Sequence, residues 1–131
     1  MRKDVPKGKG EDNLQERRKN IRVPEVPEVL DPSTLESYLS ILCKRERERL
    51  EEVFRDISID IPARTELGRA ARDLVAFARG YYEDALWFLG RGRRVEAFEL
   101  FNYVWGLLDA AARLGLITPH KTKKYFKVEQ D

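Results

Sequence analysis

The chain has 131 residues, of which 42% are hydrophobic and 37% charged, enough for one domain with a core of ordinary size. Charges interrupt every apolar run, and the N-terminal residues lack the hydrophobic stretch of a signal peptide. We therefore expect a soluble, cytoplasmic protein that has no membrane partner. A single cysteine and a single histidine exclude an internal disulfide and a zinc site of the usual Cys/His kind. No cofactor is expected.

The charges are unevenly distributed. The net charge is +2, but residues 1–23 carry eight basic and four acidic groups, and residues 118–131 carry four and two. Residues 32–117 are nearly balanced, with 13 basic and 14 acidic groups. The composition, with 16 arginines and 14 glutamates, resembles that of heat-adapted proteins, which have surface networks of ion pairs. It predicts a thermophilic source.

Residues 1–31 are predicted to form a flexible or extended charged arm. Pro6, Pro24 and Pro27 interrupt a segment with few large apolar groups, which cannot repay the entropy of folding on its own. Two alternatives are open for its apolar part between positions 21 and 30. It is either an extended strap across the helices or a mobile linker.

The first helix is predicted to begin near Thr34. Ser33 and Glu36 have the spacing of a capping box, and apolar residues then recur every three or four positions as far as Ile57. The alternating charges of residues 44–49 predict a solvated face. Cys43, beside the apolar stripe, is expected to pack as a small apolar group.

Two further helices are predicted, from near Thr65 to Leu89 and from about Arg94 to Leu114. Gly92 supplies a left-handed residue at the turn between them, and Gly115 followed by Leu116 predicts a Schellman ending. The fold class is all-α: a three-helix up-down-up antiparallel bundle over residues 32–117. Residues 118–131 form a short basic tail, whose aromatic pair, Tyr125 and Phe126, is expected to pack back on the bundle.

The third helix is apolar around most of its circumference. Its polar or small positions fall in one narrow sector, so a stripe against two neighbours would leave apolar surface uncovered. Either the arm, the tail or a second copy of the chain is expected to cover that surface. Gly106 and Ala110, one turn apart, favour a helix partner and a homodimer. The predicted interface residues are Phe101, Val104, Trp105 and Leu108.

The same region resembles a known family. The motifs that carry the resemblance are Tyr82-Glu83-Asp84-Ala85, Trp105-Gly106-Leu107-Leu108-Asp109-Ala110 and Arg113-Leu114-Gly115-Leu116. They are similar to the archaeal family called domain of unknown function 357, over about residues 33–128. The resemblance implies an all-helical bundle and an archaeal source. It implies no activity, so no functional residues are transferred.

The sequence is compatible with three functions. The favoured one is a small helical interaction module that self-associates or binds a protein partner through the third helix. The first alternative is nucleic-acid binding, because basic groups interleaved with aromatic rings can hold phosphates and stack on bases. Its candidate residues are Arg91, Arg93, Arg94, Lys121, Lys123 and Lys124.

The second alternative is an enzyme. His120 follows Arg113 after six residues, a spacing that resembles the arginine-histidine pair of helical ribonucleases of the HEPN type. Gly115 and Pro119 intervene, and Leu114 occupies a position that is usually polar in those enzymes. A structural contact from Asp109 to Arg113 at i+4 is expected instead. We do not expect catalytic residues or a metal site.

Overall fold

The computed structural model describes residues 26, 28 and 31–126. The arm predicted for residues 1–31 otherwise lies outside the described residues, as do residues 127–131 of the predicted tail. The described chain contains three long helices and one short helix. They are α1 (Pro32–Asp56), α2 (Glu66–Leu89), α3 (Arg94–Arg113) and α4 (Lys123–Phe126). The predicted all-α bundle is confirmed.

The first helix begins two residues earlier than predicted. The Asp31 carboxylate accepts a hydrogen bond of 2.7 Å from the Thr34 amide, and Pro32 occupies the first helical turn, where a missing N–H costs nothing. The predicted Ser33 cap is therefore wrong, since Asp31 has the same capping chemistry and a proline that fits behind it. The helix ends at Asp56, before the extended residue Ile57.

The second helix begins at Glu66, next to the predicted start near Thr65, and Thr65 caps it. The Thr65 hydroxyl oxygen accepts from the Gly68 amide at 2.9 Å and donates to the Pro62 carbonyl at 2.7 Å. That turn lies so close to α2 that a Cβ on Gly68 would stand 1.9 Å from the Pro62 oxygen. Gly68 is thus required by the backbone of the preceding turn.

Helices α2 and α3 are each followed by a glycine that ends the helix. Gly92 has φ of 73°, and its amide donates to the Leu89 carbonyl. At the end of α3, Gly115 also has φ of 73°, and the Leu116 amide donates to the Ala111 carbonyl. Both glycines thus take the left-handed residue of a Schellman-type ending, as predicted.

The long helices run up, down and up. The Cys43 thiol lies 3.5 Å from the Arg94 carbonyl at the start of α3, and Ser58 pairs with Thr118 just beyond the far ends of α1 and α3. Helices α1 and α3 are therefore parallel, while the tight turn makes α2 antiparallel to both. α3 packs on α2 and on α1, whereas α1 and α2 touch only lightly. The central element is α3.

The core lies around α3. Phe101 contacts the Tyr82 ring of α2 at 6.0 Å, and Tyr82 contacts the Phe54 ring of α1 at 5.4 Å. Alanines let the backbones of α2 and α3 approach closely. The fully buried hydrophobic residues of the long helices include Leu50, Val53, Ala71, Ala78, Ala85, Ala97, Phe101, Val104, Leu108 and Ala111.

Residues 118–126 fold back on the end of α1. The Asp56 carboxylate accepts three hydrogen bonds of 2.9 Å from the amides of His120, Lys121 and Thr122, and one of 2.5 Å from the Thr122 hydroxyl. We call this arrangement the Asp56 clamp. It starts the turn that leads into α4, where Phe126 is buried. The predicted return of the aromatic pair is therefore observed.

Candidate functional site

The predicted interface residues of α3 are mostly in the core. Phe101, Val104 and Leu108 are at most 1% exposed, because α1 and α2 pack on that side of α3. Sequence periodicity could not show this, since it does not tell which apolar positions a neighbouring helix covers. A partner that binds α3 of the described chain therefore has to use a different face of this helix.

Trp105, the fourth predicted interface residue, is covered by α1 and α4. Its indole Nε1 donates to the Glu46 carboxylate at 2.5 Å, and its ring contacts the rings of Tyr125 and Phe126 at 6.1 and 5.9 Å. Glu46 is 5% exposed and forms an ion pair with Arg45 at 2.9 Å. The solvated face predicted for residues 44–49 is therefore wrong at Glu46, whose helical position turns it toward α3.

Cys43 behaves as expected from its position beside the apolar stripe. It is buried, and its thiol points to the Arg94 carbonyl. Burial raises the pKa of the thiol, and the nearby Arg94 charge only partly opposes that shift. A thiol held in its protonated form is a poor nucleophile, so Cys43 is a packing residue.

Within the described part of the chain, one face of the hairpin is left uncovered, on the side away from α1. The Phe77 and Tyr103 side chains are 50% and 49% exposed. Tyr81 lies between them and meets each ring edge-on, at 4.8 Å from Phe77 and 4.9 Å from Tyr103. We call these three residues the aromatic row. The aromatic row joins the middle of α2 to the middle of α3, and its two outer rings are half-exposed.

Smaller residues and exposed leucines extend this open face. Gly106 and Ala110 are exposed on α3, and a Cβ at Gly106 would meet nothing within 4 Å. Near the far end of the hairpin, Leu67 and Leu114 are 56% and 73% exposed. The open face thus has bulky rings at its centre, small residues beside them and apolar side chains at one end.

Gly80 lies in the interior of α2, at an open position. A glycine inside α2 suggests the close approach of another backbone, yet within the described chain a Cβ at Gly80 would meet nothing within 4 Å. Its position is exposed. The described fold therefore contains two uncovered helix-interior glycines, Gly80 on α2 and Gly106 on α3.

The basic residues of the turn between α2 and α3 interact with their neighbours. Arg91 stacks 3.5 Å above the centre of the exposed Trp87 ring. The Arg93 Nε lies 3.0 Å from Glu96, and Arg94 lies 3.7 Å from Glu36. Two of the three arginines are thus matched by carboxylates within the chain.

The basic residues of the tail lie elsewhere. The Lys121 amide is held by the Asp56 clamp, and the Lys124 ammonium lies over the Tyr125 ring at 5.2 Å; Lys123 begins α4. The turn group adjoins Cys43 and the tail group adjoins Asp56, positions about 20 Å apart along α1 at 1.5 Å per residue. The six predicted nucleic-acid contacts therefore form two separate groups.

The arginine and histidine of the ribonuclease alternative have different partners. Arg113 pairs with Asp109 at 3.7 Å, the i+4 contact expected from the sequence. His120 Nε2 lies 2.8 Å from the Ser58 hydroxyl, which donates to Asp60 at 3.1 Å. When the hydroxyl donates to Asp60, its oxygen accepts from the imidazole, since the hydroxyl has one proton. The cluster ties His120 to the loop after α1, whereas Arg113 is tied to Asp109 on α3.

Asp56 is a residue that sequence reasoning missed. Partial burial alone would raise its pKa, but the hydrogen bonds from the Thr122 hydroxyl and the amides of Thr122, Lys121 and His120 outweigh it and hold the pKa well below its usual value. The available signal was an acid in the last turn of α1, where the helix dipole disfavours negative charge. Such a position predicts a compensating donor.

Among the described residues, no group of three or more His, Cys, Asp or Glu side chains is placed to hold a metal ion. None of the described helices combines the length and apolar character needed to span a bilayer.

Fold and surface together define a small all-α protein built on a three-helix bundle with an open aromatic face. The chain belongs to the family described as protein of unknown function (DUF357), which matches residues 47–117, more than half of the chain. This match is shorter than the resemblance over residues 33–128. It begins within α1 and ends before His120, Lys121 and Thr122, the residues that donate hydrogen bonds to Asp56. No curated protein and no solved structure gives a match.

Proposed function

We propose that this protein is a small helical interaction module that binds another polypeptide through the open face of α2 and α3. The observation that carries the proposal is the aromatic row, in which Phe77 and Tyr103 present half-exposed rings on either side of Tyr81. Aromatic rings are enriched where proteins bind each other, because they bury a large area at a low cost in side-chain entropy.

The free energy available at this row is substantial. Burying the exposed half of one ring removes roughly 100 Å² from water, and at about 25 cal/mol per Å² this contributes roughly 2.5 kcal/mol. Two such rings beside exposed leucines form a larger apolar patch than the scattered apolar residues of an ordinary protein surface. A partner that covers the row therefore has two anchor positions, Phe77 and Tyr103.

The open face carries acidic groups as well as the basic Arg113, a mixture that suits a polypeptide better than a nucleic acid. Asp73 and Asp84 share the side of α2 that carries Phe77, and Glu99 lies one turn before Tyr103. These carboxylates are exposed and would repel a phosphate backbone. The nucleic-acid alternative would have to use the basic groups at the two separate locations described above.

Two further expectations accompany the proposal. The arginine- and glutamate-rich composition supports a heat-adapted source, which the family resemblance implies is archaeal, and the single cysteine, Cys43, fits the reducing environment of the cytoplasm. Neither is needed for the interaction itself. The partner is either a second copy of the chain or another protein.

Photo-cross-linking from single positions tests the proposal. A photoreactive phenylalanine analogue is placed at Phe77 or Tyr103, and at Ile41 as a control that is equally exposed but lies on α1. Cells producing each full-length variant are irradiated, and cross-linked polypeptides are identified by mass spectrometry. We expect a defined product from positions 77 and 103 that position 41 does not give. Equal, diffuse labelling from all three positions would contradict the proposal.

A further inference from the structure

The exposed side of α3 carries a second pattern that runs along the helix. Glu99, Tyr103, Gly106, Ala110 and Arg113 are separated by four, three, four and three residues, so they lie on one side of α3. All five are exposed. We call them the outer stripe. Gly106 stands at its middle, with the other four residues arranged as two pairs around it.

We propose that a second copy of this chain binds the outer stripe, with the two α3 helices antiparallel and related by a two-fold axis beside Gly106. This rests on the proposed function and names its partner. In that arrangement the two Gly106 residues face each other. Tyr103 of each copy lies against Ala110 of the other copy, and Glu99 against Arg113. Each contact occurs twice, as in any isologous dimer.

The steric pattern fits such a pairing. A glycine at the crossing point lets two helix backbones approach closely, and a ring facing a methyl group fills the space on each side. Nothing in the described chain uses Gly106, because a Cβ there would contact no atom within 4 Å. A glycine inside a helix costs about 1 kcal/mol relative to alanine. Close packing against a second copy explains why a glycine stands at this position despite that cost.

The charges select the antiparallel direction. Glu99 and Arg113 lie at opposite ends of the stripe, so antiparallel copies bring opposite charges together twice. A parallel pairing would place each charge beside its own copy and would be repulsive. Arg113 already pairs with Asp109 at 3.7 Å and is 43% exposed. Its guanidinium has five donors, so it can hold both carboxylates.

The aromatic row widens the contact. Because α2 and α3 are antiparallel and Tyr81 contacts Tyr103, Phe77 lies one turn away, at the level of Gly106 and near the proposed axis. The outer stripe spans about 21 Å at 1.5 Å per residue. Such a contact belongs to the small end of specific interfaces, so we expect a dissociation constant in the micromolar range.

Sedimentation equilibrium and light scattering on the full chain, from about 1 to 500 µM, test the proposal. We expect a monomer–dimer equilibrium that Gly106→Leu weakens by at least about 100-fold, because the side chain blocks close approach. Gly80→Leu is the matched control: it fills the other uncovered helix glycine and should leave the dimer unchanged. Circular dichroism checks that both variants remain folded.

Charge exchange tests the orientation. Glu99→Arg and Arg113→Glu should each raise the dissociation constant about tenfold, because each creates two like-charge contacts. The double variant should restore dimerisation to within about threefold. Dimers that ignore Gly106→Leu, or single variants that the double variant does not rescue, would overturn this arrangement. A monomer at every concentration would also overturn it, while a cross-linked partner other than the chain itself would leave the proposed function standing.

Discussion

The indole Nε1 of Trp105 donates a hydrogen bond of 2.5 Å to the carboxylate of Glu46, a residue that is only 5% exposed. This contact joins α1 to α3 between positions 59 residues apart. It also explains why an acid is tolerated inside the bundle. The carboxylate has an indole donor on one side and the Arg45 guanidinium, at 2.9 Å, on the other.

We expect Glu46→Ala to destabilise the protein by about 1–3 kcal/mol, because it leaves the Trp105 N–H without its acceptor in a buried place. Glu46→Gln keeps an acceptor oxygen and should cost less. Thermal unfolding followed by circular dichroism measures both. Glu48→Ala, at an exposed position in the same charged run, is the control and should change stability by under about 0.5 kcal/mol. Equal losses in all three variants would argue against the contact.

A second prediction concerns the Asp56 clamp. Asp56→Asn removes the charge that accepts from three amides and a hydroxyl, and we expect a loss of roughly 1–3 kcal/mol at pH 7. Asp60→Asn, which loses only the donor Ser58, should have a small effect. Chemical denaturation at pH 7 compares the two variants with the natural sequence.

The same clamp predicts a pH dependence. Its hydrogen bonds hold the pKa of Asp56 below the unfolded value of about 3.9, so the folded state binds this proton less readily than the unfolded state. The stabilisation is fully present above the unfolded pKa and is lost as the pH falls toward the folded pKa. The difference in stability between the natural sequence and Asp56→Asn should therefore narrow below about pH 4. A difference that stays constant from pH 7 to pH 3 would contradict the role of the charge.

Gly68 offers a third prediction, about packing between a turn and a helix. A methyl group there would stand 1.9 Å from the Pro62 carbonyl oxygen, so Gly68→Ala should cost about 1–3 kcal/mol despite the better helix propensity of alanine. Gly80→Ala, in the same helix with open space around it, should instead be neutral or stabilising by up to about 1 kcal/mol. The melting temperature should thus fall for Gly68→Ala and stay the same or rise for Gly80→Ala.

The fourth prediction concerns the cover over Trp105. Phe126 is 1% exposed and its ring lies 5.9 Å from that of Trp105. Phe126→Ala should expose the indole, shift its fluorescence to longer wavelength and cost about 3–5 kcal/mol. Trp87 is 52% exposed and emits as well, so the measurement is made in a Trp87→Phe background. An unchanged emission maximum would show that α4 does not shield the indole.

Much of the fold follows from local sequence signals. Thr65 caps α2, and the glycines at positions 92 and 115 close helix ends, because each of these needs only residues within one turn. The burial of Phe126 could also be expected, since an apolar pair in a basic tail gains from packing. The cap of α1 was predicted wrongly because two candidates, Asp31 and Ser33, lie two residues apart and both have side chains that can cap a helix.

The surface was harder to predict, because it depends on which side of each helix its neighbours cover. Phe101 and Tyr103 are both apolar positions of α3, yet one is in the core and the other is half exposed. Glu46 looked like one member of a solvated charge run, and only the position of Trp105 shows otherwise. The open face exists because, among the described elements, α1 packs on only one side of the hairpin.

The Asp56 clamp also constrains the order in which the protein can be completed. Its acceptor precedes its donors by 64 to 66 residues, so α2 and α3 are synthesised before the clamp can close. Until residues 120–126 are made, Trp105 lacks the cover of α4. A growing chain that stops short of those residues therefore carries an exposed indole and yields a bundle that is prone to aggregation.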